Sequence, residues 1–235
     1  MKITIFTPVY GRKNATFKTI ESIHKNTDYP FEHIIINNNF PYPDGTDEIL
    51  EELKTKYKNI KIIKNDINKG LALSHYQTLK ESDSDIYIKI DNDIEVITKN
   101  YLEIIVEIYR NLGEIWVLGG TITNIFYKFK ILNIFSCCNY TIEQLTHVSP
   151  PFCITPQKII QKIGYSNPFL SLRAHEAANF SKKLLKNGFK IGRIKEIIGE
   201  LLHEDYTHEY KKITEENTKF RYSLELHNYV KSKIR

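Results

Sequence analysis

The first hundred residues alternate between two hydrophobic periods, and this alternation limits the chain to few folds. Four short apolar runs rich in β-branched residues are too uniformly apolar for surface strands, which is typical of a parallel sheet covered on both faces. These runs are Ile3–Thr7, His33–Ile36, Ile60–Ile63 and Ile86–Ile90. Helical patterns separate them at Thr16–Asn26, Thr46–Tyr57 and Leu71–Lys80. Strict alternation of strand and helix predicts an α/β fold with a doubly wound, mostly parallel sheet.

The pattern becomes less regular in the second half of the chain. The predicted elements there are a helix at Tyr101–Leu112, a strand at Glu114–Leu118, a helix from about Arg173 to Asn187, a strand at Phe189–Ile194 and a final amphipathic helix at Thr214–Lys231. The stretch from Thr121 to Pro156 has no clear period. We place a soft boundary near Thr98, within one continuous domain.

Composition and charge exclude several classes of protein. The 235 residues are 41% hydrophobic and 26% charged, as in ordinary globular proteins. The net charge is +5, and the basic residues are interleaved with acidic ones, as in the segment Asp47–Lys56. A nucleic-acid binder concentrates its basic residues on one face, so we expect no nucleic-acid partner. The mild basic bias favours an anionic small-molecule partner.

The cysteines and the hydropathy of the chain indicate the cellular compartment to expect. Cys137, Cys138 and Cys153 are odd in number and lack metal-type spacing, which predicts reduced thiols. No run approaches the roughly 18 apolar residues of a membrane span, and the first residues lack a signal peptide's apolar core. We therefore expect a cytoplasmic chain without an anchor. The stretch Ile125–Phe135 mixes aromatics with lysines; a half-buried strand is the preferred interpretation, and contact with a membrane interface or an acceptor is the alternative.

Polar loops follow the carboxyl ends of all four predicted strands in the first half. They are Thr7–Arg12, Asn37–Asn39, Asn65–Gly70 and Asp91–Asp93. In open α/β sheets, ligands bind at the carboxyl ends of the strands. The four loops together therefore predict one binding site at this edge.

The sequence Asp91-Asn92-Asp93 carries the most specific chemistry. It directly follows the apolar strand Ile86–Ile90, so its carboxylates leave the sheet edge together. Carboxylate oxygens are the hard ligands that Mg²⁺ and Mn²⁺ prefer, and such an ion can bridge a diphosphate. The alternative is an ordinary turn in which Asp and Asn cap the local backbone. Its place after a βαβαβ pattern favours the metal site. Because Asp93 is a charged loop residue, we expect it to contribute little to the core, so that Asp93→Ala should abolish activity without unfolding the chain.

Taken together, these motifs resemble a family-two glycosyltransferase of the GT-A fold, a Rossmann-like architecture. The resemblance covers residues 2–96 and rests on Ile5–Arg12, Ile34–Asn39, Asp44-Gly45-Thr46, Asn68-Lys69-Gly70 and the Asp-x-Asp motif Asp91–Asp93. It implies a nucleotide-diphospho-sugar transferase of glycan biosynthesis. Residues 1–98 would bind a UDP- or GDP-sugar with Mn²⁺ or Mg²⁺. Residues 99–235 would bind a glycan, lipid or protein acceptor.

The resemblance also implies a role for individual residues of the loops. Donor contacts fall on Thr7, Pro8, Tyr10, Arg12, Asn37, Asn68, Gly70, Asp91 and Asn92. Asp93 would ligate the metal directly and Asp91 would approach both metal and ribose. Asn37 stands where the family usually has an aspartate that reads the base, and residues 40–43 are extra. This departure leaves the choice of base open.

The second half matches the family less closely. Ala174-His175-Glu176, followed by Gly188, resembles a helix that begins with an acidic pair, although only one carboxylate is present. An inverting transfer needs a base beside the acceptor hydroxyl. The resemblance assigns this role to Glu176 first and to His175 second, whereas a helix N-terminal acid is the purely structural alternative. Many members of the family have a late histidine that touches the metal or the diphosphate. The resemblance therefore implies His203 as a third metal ligand, with His208 as a weaker substitute.

Two other functions fit parts of the sequence. A sugar-nucleotide pyrophosphorylase has a related architecture but opens with a glycine-rich phosphate loop, whereas Thr7–Arg12 holds one glycine. A non-catalytic nucleotide-sugar-binding module would explain the incomplete acidic pair near Glu176. Intact Asp91 and Asp93 favour the inverting, metal-dependent enzyme.

Overall fold

The computed structural model describes residues 1–124, 129–165 and 176–203, and one sheet runs through them. Its strands are β1 (Ile3–Val9), β2 (Glu32–Asn37), β3 (Ile60–Lys64), β4 (Ile86–Ile90), β5 (Ile94–Val96), β6 (Trp116–Thr123), β7 (Ile131–Cys137), β8 (Tyr140–Leu145), β9 (Phe152–Pro156) and β10 (Lys190–Leu201). The order is β3-β2-β1-β4-β9-β6-β10-β8-β7, with β5 paired to β10. The first four strands are parallel to one another, as predicted.

Helices cover both faces of the sheet. They are α1 (Lys13–Lys25), α2 (Thr46–Lys56), α3 (Gly70–Glu81), α4 (Tyr101–Leu112), α5 (Gln157–Ile163) and α6 (Glu176–Lys186). Ile20 of α1 and Leu50 of α2 pack against Val9 and Ile35 on one face. His75 of α3 packs edge-on against Phe6 on the other. Apolar side chains on both faces explain why these strands read as unbroken apolar runs.

The second half of the sheet contains elements that the sequence did not predict. Strand β9 lies between β4 and β6 and is antiparallel to both. The hairpin β7–β8 extends the sheet beyond β10. The lysine- and aromatic-rich stretch is partly outside the described residues, and its described strand begins at Ile131 with exposed side chains rather than as a half-buried strand.

One sheet joins the two halves of the chain. The largest core cluster includes Ile5 and Ile88 from the first half and Tyr101, Phe152 and Ile194 from the second. The boundary at Thr98 stays a prediction. Within the described ranges, the structure has no helix both long and apolar enough to cross a membrane.

Candidate functional site

The four predicted loops lie together at the carboxyl edge of the sheet. The backbone N–H of Asn38 donates a 2.8 Å hydrogen bond to the backbone carbonyl of Val9, which joins the second loop to the first. The backbone N–H of Asn65 donates a 2.8 Å hydrogen bond to the backbone carbonyl of Asn37, which joins the third loop to the second. The Asn39 side chain adds a 2.6 Å hydrogen bond to the Asp66 carbonyl. The loops therefore form one continuous polar edge.

The first loop has a strained backbone. Gly11 and Arg12 both have left-handed conformations, with φ of +64° and +67°. A Cβ on Gly11 would lie 2.8 Å from Phe40 Cγ and 3.0 Å from Asp44 Oδ2, so the position requires glycine. The Arg12 amide donates to Asp44 Oδ2 at 2.8 Å. Strain of this kind is concentrated at functional sites because the surrounding structure must enforce it.

Each carboxylate of the acidic pair faces a cation. Asp93 Oδ2 lies 2.6 Å from an Arg12 guanidinium nitrogen, and Asp91 Oδ1 lies 2.5 Å from Lys89 Nζ. The Arg12 and Lys89 side chains are only 2% and 3% exposed, whereas Asp93 and Asp91 are 16% and 29% exposed. The carboxylates therefore stand between internal cations and solvent. Sequence reasoning missed Lys89, whose signal was a lone lysine in an otherwise apolar strand.

Asn92 points the other way and anchors the loop. Its side-chain amide donates to the Gly11 carbonyl at 3.1 Å and to Thr16 Oγ1 at 2.8 Å, in a buried position. Thr7 is likewise turned inward, with its hydroxyl 3.0 Å from His33 Nε2. Both residues had been predicted as donor contacts. In this structure their side chains hold the loops in place.

Asn37 is paired with a nearby carboxylate. Its amide nitrogen donates to Asp47 Oδ1 at 2.6 Å, and its carbonyl oxygen accepts from the Asn39 amide at 3.1 Å. Asp47 also contacts Lys64, whose hydrogen bond is the main cause that lowers the pKa of Asp47. Asp47 is therefore ionised at neutral pH. A carboxylate thus lies next to position 37, in the first turn of α2.

A network of buried amides holds the second and third loops rigid. Asn65 donates to Asn38 Oδ1 at 2.9 Å and accepts from Gln77 at 2.7 Å. Asn38 in turn donates to Ser74 Oγ at 3.1 Å. Because buried polar groups are costly when unsatisfied, a mutually satisfied network fixes a single loop conformation.

Other predicted donor contacts line the same edge. Tyr10 is half-buried and packs edge-on against Phe40, with ring centroids 5.1 Å apart. Pro8 is also half-buried, at the end of β1. Asn68 Oδ1 accepts from the Gly70 amide at 3.0 Å, and Gly70 has φ of +75°. This Asn68–Gly70 turn begins α3.

The end of β10 returns to the acidic pair. The Leu202 amide donates to the Asp93 carbonyl at 2.8 Å, and Arg12 donates to the Leu202 carbonyl at 2.9 Å. His203 follows directly and is exposed. The chain path therefore brings His203 to the loop that holds Asp93.

The two candidates for the base are only partly covered by the structure. Glu176 begins α6, and only its backbone is described. His175 lies outside the described residues, as do His208 and the predicted helix Thr214–Lys231. The assignment of a base therefore stays a prediction.

The acidic pair suits a divalent ion as a partial site. Among the described residues, no three His, Cys, Asp or Glu side chains form a group that could hold a metal alone. Asp91 and Asp93 nevertheless offer hard oxygen ligands in partly exposed positions. Mg²⁺ and similar ions often take only one or two carboxylates and complete their shell with water and substrate phosphates. The donor set therefore fits such an ion when a diphosphate is also present.

Comparison with solved structures identifies the fold. The chain is similar to GalNAc-T7 solved with UDP, GalNAc and Mn²⁺, with a TM-score of 0.71, 12% identity and coverage of 87% of this chain and 44% of that one. It is also similar to the mannosyltransferase PcManGT from Pyrobaculum calidifontis in complex with GDP-Man and Mn²⁺, with a TM-score of 0.66, 11% identity and coverage of 93% and 62%. The sheet and its polar edge define a GT-A fold.

The amino-acid sequence places the chain more closely. Residues 4–162 match glycosyl transferase family 2, and the chain belongs to this family. It is also 26% identical over 145 residues to a dolichol-phosphate mannosyltransferase of Pyrococcus furiosus. That alignment covers 57% of this chain and 38% of the relative, so the chain spans well under half of that protein's length.

Proposed function

We propose that this chain transfers a sugar from a UDP- or GDP-sugar to an acceptor, with inversion at the sugar and with Mn²⁺ or Mg²⁺. The carrying observation is the acidic pair Asp91 and Asp93, at the end of β4 and tied to the first loop through Arg12. Family membership supports the reaction class. The relatives solved with UDP or GDP-Man and Mn²⁺ support the choice of donor and ion.

The donor's nucleoside is assigned to the first three loops. Tyr10, braced by Phe40, offers a ring face for stacking against the base. The Asp47 carboxylate beside Asn37 offers hydrogen-bond acceptors for a base N–H. Gly70 permits close approach of the backbone to the nucleoside. Because the amide network already fixes these loops, little order has to be gained when the donor binds.

The transfer itself exchanges one bond for another. The acceptor oxygen bonds to the anomeric carbon as the bond from that carbon to the diphosphate breaks. With a hydroxyl acceptor, Glu176 or His175 takes the proton. The nucleoside diphosphate leaves with the bonding electron pair. Asp91, Asp93 and His203 would hold a divalent ion, which would supply charge stabilisation for this leaving group.

The acceptor class decides whether a base is needed. The name of the Pyrococcus relative adds a lipid phosphate to the glycan, lipid and protein acceptors to be tested. A phosphate monoester is already anionic at neutral pH, so its oxygen needs no deprotonation. Glu176→Gln should therefore slow transfer to a hydroxyl by about 100-fold or more, but leave transfer to a phosphate nearly unchanged.

A thermal-shift titration followed by a turnover assay tests the function. UDP, GDP and their sugars are added with Mn²⁺, with Mg²⁺ or with a chelator, and the Tm of the protein is measured. A ligand that binds only the folded protein raises this Tm. Asp93→Asn should lose the metal-dependent shift, whereas Glu51→Gln, an exposed acid on α2, should keep it. Binding without sugar release or transfer would favour the non-catalytic module. If no nucleotide or nucleotide sugar shifts the Tm, the proposed function is wrong.

A further inference from the structure

Lys89 is an unusual residue for its position. It lies in β4, whose other residues are apolar or aromatic, and its side chain is 3% exposed. The ammonium group lies 2.5 Å from Asp91 Oδ1 and donates to the Pro150 carbonyl at 2.6 Å. Burying a lysine is costly unless its charge is paired. Its partner is one of the two assigned metal ligands.

Arg12 repeats this arrangement for the second carboxylate. It contacts Asp93 at 2.6 Å and the Leu202 carbonyl at 2.9 Å, and it is as deeply buried as Lys89. The two carboxylates and two cations together sum to zero charge. The cations lie on the protein side of the carboxylates, which are the more exposed partners of both pairs.

This charge balance changes what the acidic pair can do alone. A divalent ion approaching Asp91 and Asp93 is attracted by both carboxylates and repelled by both cations behind them. The cations cannot turn away into solvent, since each is also held by a backbone carbonyl. A nucleoside diphosphate would bring the missing negative charge.

We propose that Lys89 is a positioning residue that fixes Asp91 and, together with Arg12, suppresses binding of a bare divalent ion. A consequence, which rests on the proposed function, is that ion and donor bind together. Because binding coupling is reciprocal, the ion should tighten the nucleotide by the same factor by which the nucleotide tightens the ion. The cations thus favour an ion that arrives with a diphosphate.

Titration of the protein with Mn²⁺, followed by the electron paramagnetic resonance signal of the free ion, tests this inference. Lys89→Met should bind bare Mn²⁺ at least about tenfold more tightly than the unmodified chain, because one repelling charge is gone. Lys61→Met is the matched control, since Lys61 is a strand lysine paired with Glu81 away from the site. It should bind bare Mn²⁺ as the unmodified chain does.

Two further variants separate charge from structure. Lys89→Gln keeps a donor for the Pro150 carbonyl and should also gain affinity for bare Mn²⁺, which covers the case in which Lys89→Met fails to fold. The double variant Lys89→Met, Asp91→Asn should lose the gain. A purely structural lysine would weaken ion binding when replaced. If folded Lys89→Gln binds bare Mn²⁺ no more tightly than the unmodified chain, the inference is wrong.

Repeating the titration with UDP and with GDP separates this inference from the proposed function. The nucleotide should tighten Mn²⁺ strongly in the unmodified chain and less in Lys89→Gln. A gain for bare Mn²⁺ in the variants with no effect of either nucleotide would support the charge balance and contradict the proposed donor. If a nucleotide tightens Mn²⁺ binding but the variants gain no affinity for bare Mn²⁺, the result would support the proposed donor and contradict the charge balance.

Discussion

Within Asp91-Asn92-Asp93, the side chain of Asn92 points in a different direction from those of the two aspartates. The two aspartates face solvent and the buried cations, whereas Asn92 enters the protein and bonds to Gly11 and Thr16. These directions arise in a turn at Asn92 and Asp93, which a 3.2 Å hydrogen bond from the Ile94 backbone N–H to the Asp91 backbone carbonyl closes. One anchored residue between two carboxylates therefore fixes their spacing without a metal.

The Arg12–Asp93 pair predicts that Asp93 contributes to stability as well as to the proposed function. Sequence alone predicts that this charged loop residue contributes little to stability, whereas in the structure it contacts a buried guanidinium. Asp93→Asn should lower the free energy of unfolding by about 3 kcal/mol, because it removes the charge that Asp93 places against a buried cation. Urea denaturation measures this change. The double variant Arg12→Gln, Asp93→Asn should cost less than the sum of the single variants; strict additivity would contradict this explanation.

Gly11 is expected to be irreplaceable in the first loop. Gly11→Ala combines a positive φ with contacts of 2.8 Å to Phe40 and 3.0 Å to Asp44. We expect a loss of about 1–3 kcal/mol of stability and weaker nucleotide binding. Gly113→Ala is the matched control, since it also has a positive φ, +81°, but nothing lies within 4 Å of its added Cβ. Equal losses of nucleotide affinity in both variants would argue against a specific role for the first loop.

At the scale of elements, predictability followed the range of the interactions. Strands β1 to β4 and helices α2 to α4 were predicted to within about two residues because a doubly covered parallel sheet imposes a local apolar pattern. Helix α1 begins at Lys13, earlier than predicted, and its N-cap Arg12 has a left-handed backbone and provides no side-chain cap. Such a start carries no capping signal in sequence.

Strands β5, β8 and β9 were missed because their places in the sheet depend on pairing with strands distant in sequence. Strand β9 has its place in the sheet only through antiparallel pairing with β4 and β6, which are distant in sequence. The site shows the same division. Asp91 and Asp93 follow a recognisable strand, but the pairing of Asn37 with Asp47 and of Asp93 with Arg12 depends on how separate loops meet.

The position of β9 can be tested through the glycine that it packs against. A Cβ on Gly119 of β6 would lie 2.5 Å from Ser149 Cβ and 2.9 Å from the Phe152 carbonyl oxygen. Gly119→Ala should therefore destabilise the chain by roughly 1–3 kcal/mol through overpacking, measured by urea unfolding. Adding Ser149→Gly should recover part of the loss. An unaffected Gly119→Ala variant would contradict this close packing of β6 and β9.

The whole molecule carries the acidic pair on elements from both halves of the chain. Strand β5, directly after Asp93, pairs with the end of β10, and Leu202 then contacts the Asp93 backbone. We therefore expect a disturbance of β10 to reach the candidate site through these contacts. The candidate site is therefore supported by one sheet to which both halves of the chain contribute strands.

The stability of the whole molecule should fall on mild acidification because, among the described residues, the buried His33 and His75 and the half-buried His24 are neutral in the folded chain. Burial lowers the pKa of His24 to about 4, and lowers the pKa of His33 and His75 well below the ordinary value. His24 and His33 are hydrogen-bonded to each other at 3.0 Å, and His33 continues to Thr7 of the first loop. Below about pH 6.5 the unfolded chain therefore binds more protons than the folded one.

The free energy of unfolding should accordingly decrease as pH falls from about 6.5 toward 4, by about 1.4 kcal/mol per pH unit for each such histidine. Burial works to raise the pKa of Glu21, but hydrogen bonds from Lys25, Lys56 and Tyr57 outweigh it and lower this pKa to about 2. The stabilisation from Glu21 is therefore lost only below about pH 4.5. Between pH 6.5 and 4.5, the slope reports the histidines.

Replacing one histidine should remove its share of this slope. His24→Gln keeps a hydrogen-bonding group beside His33 but cannot titrate, so the slope between pH 6.5 and 4.5 should decrease by about 1.4 kcal/mol per pH unit. His147→Gln, at an exposed position, is the control and should leave the slope unchanged. Urea denaturation at a series of pH values gives both slopes. Because a neutral His24 requires burial, an unaltered slope in His24→Gln would mean that this ring is solvated in the folded chain.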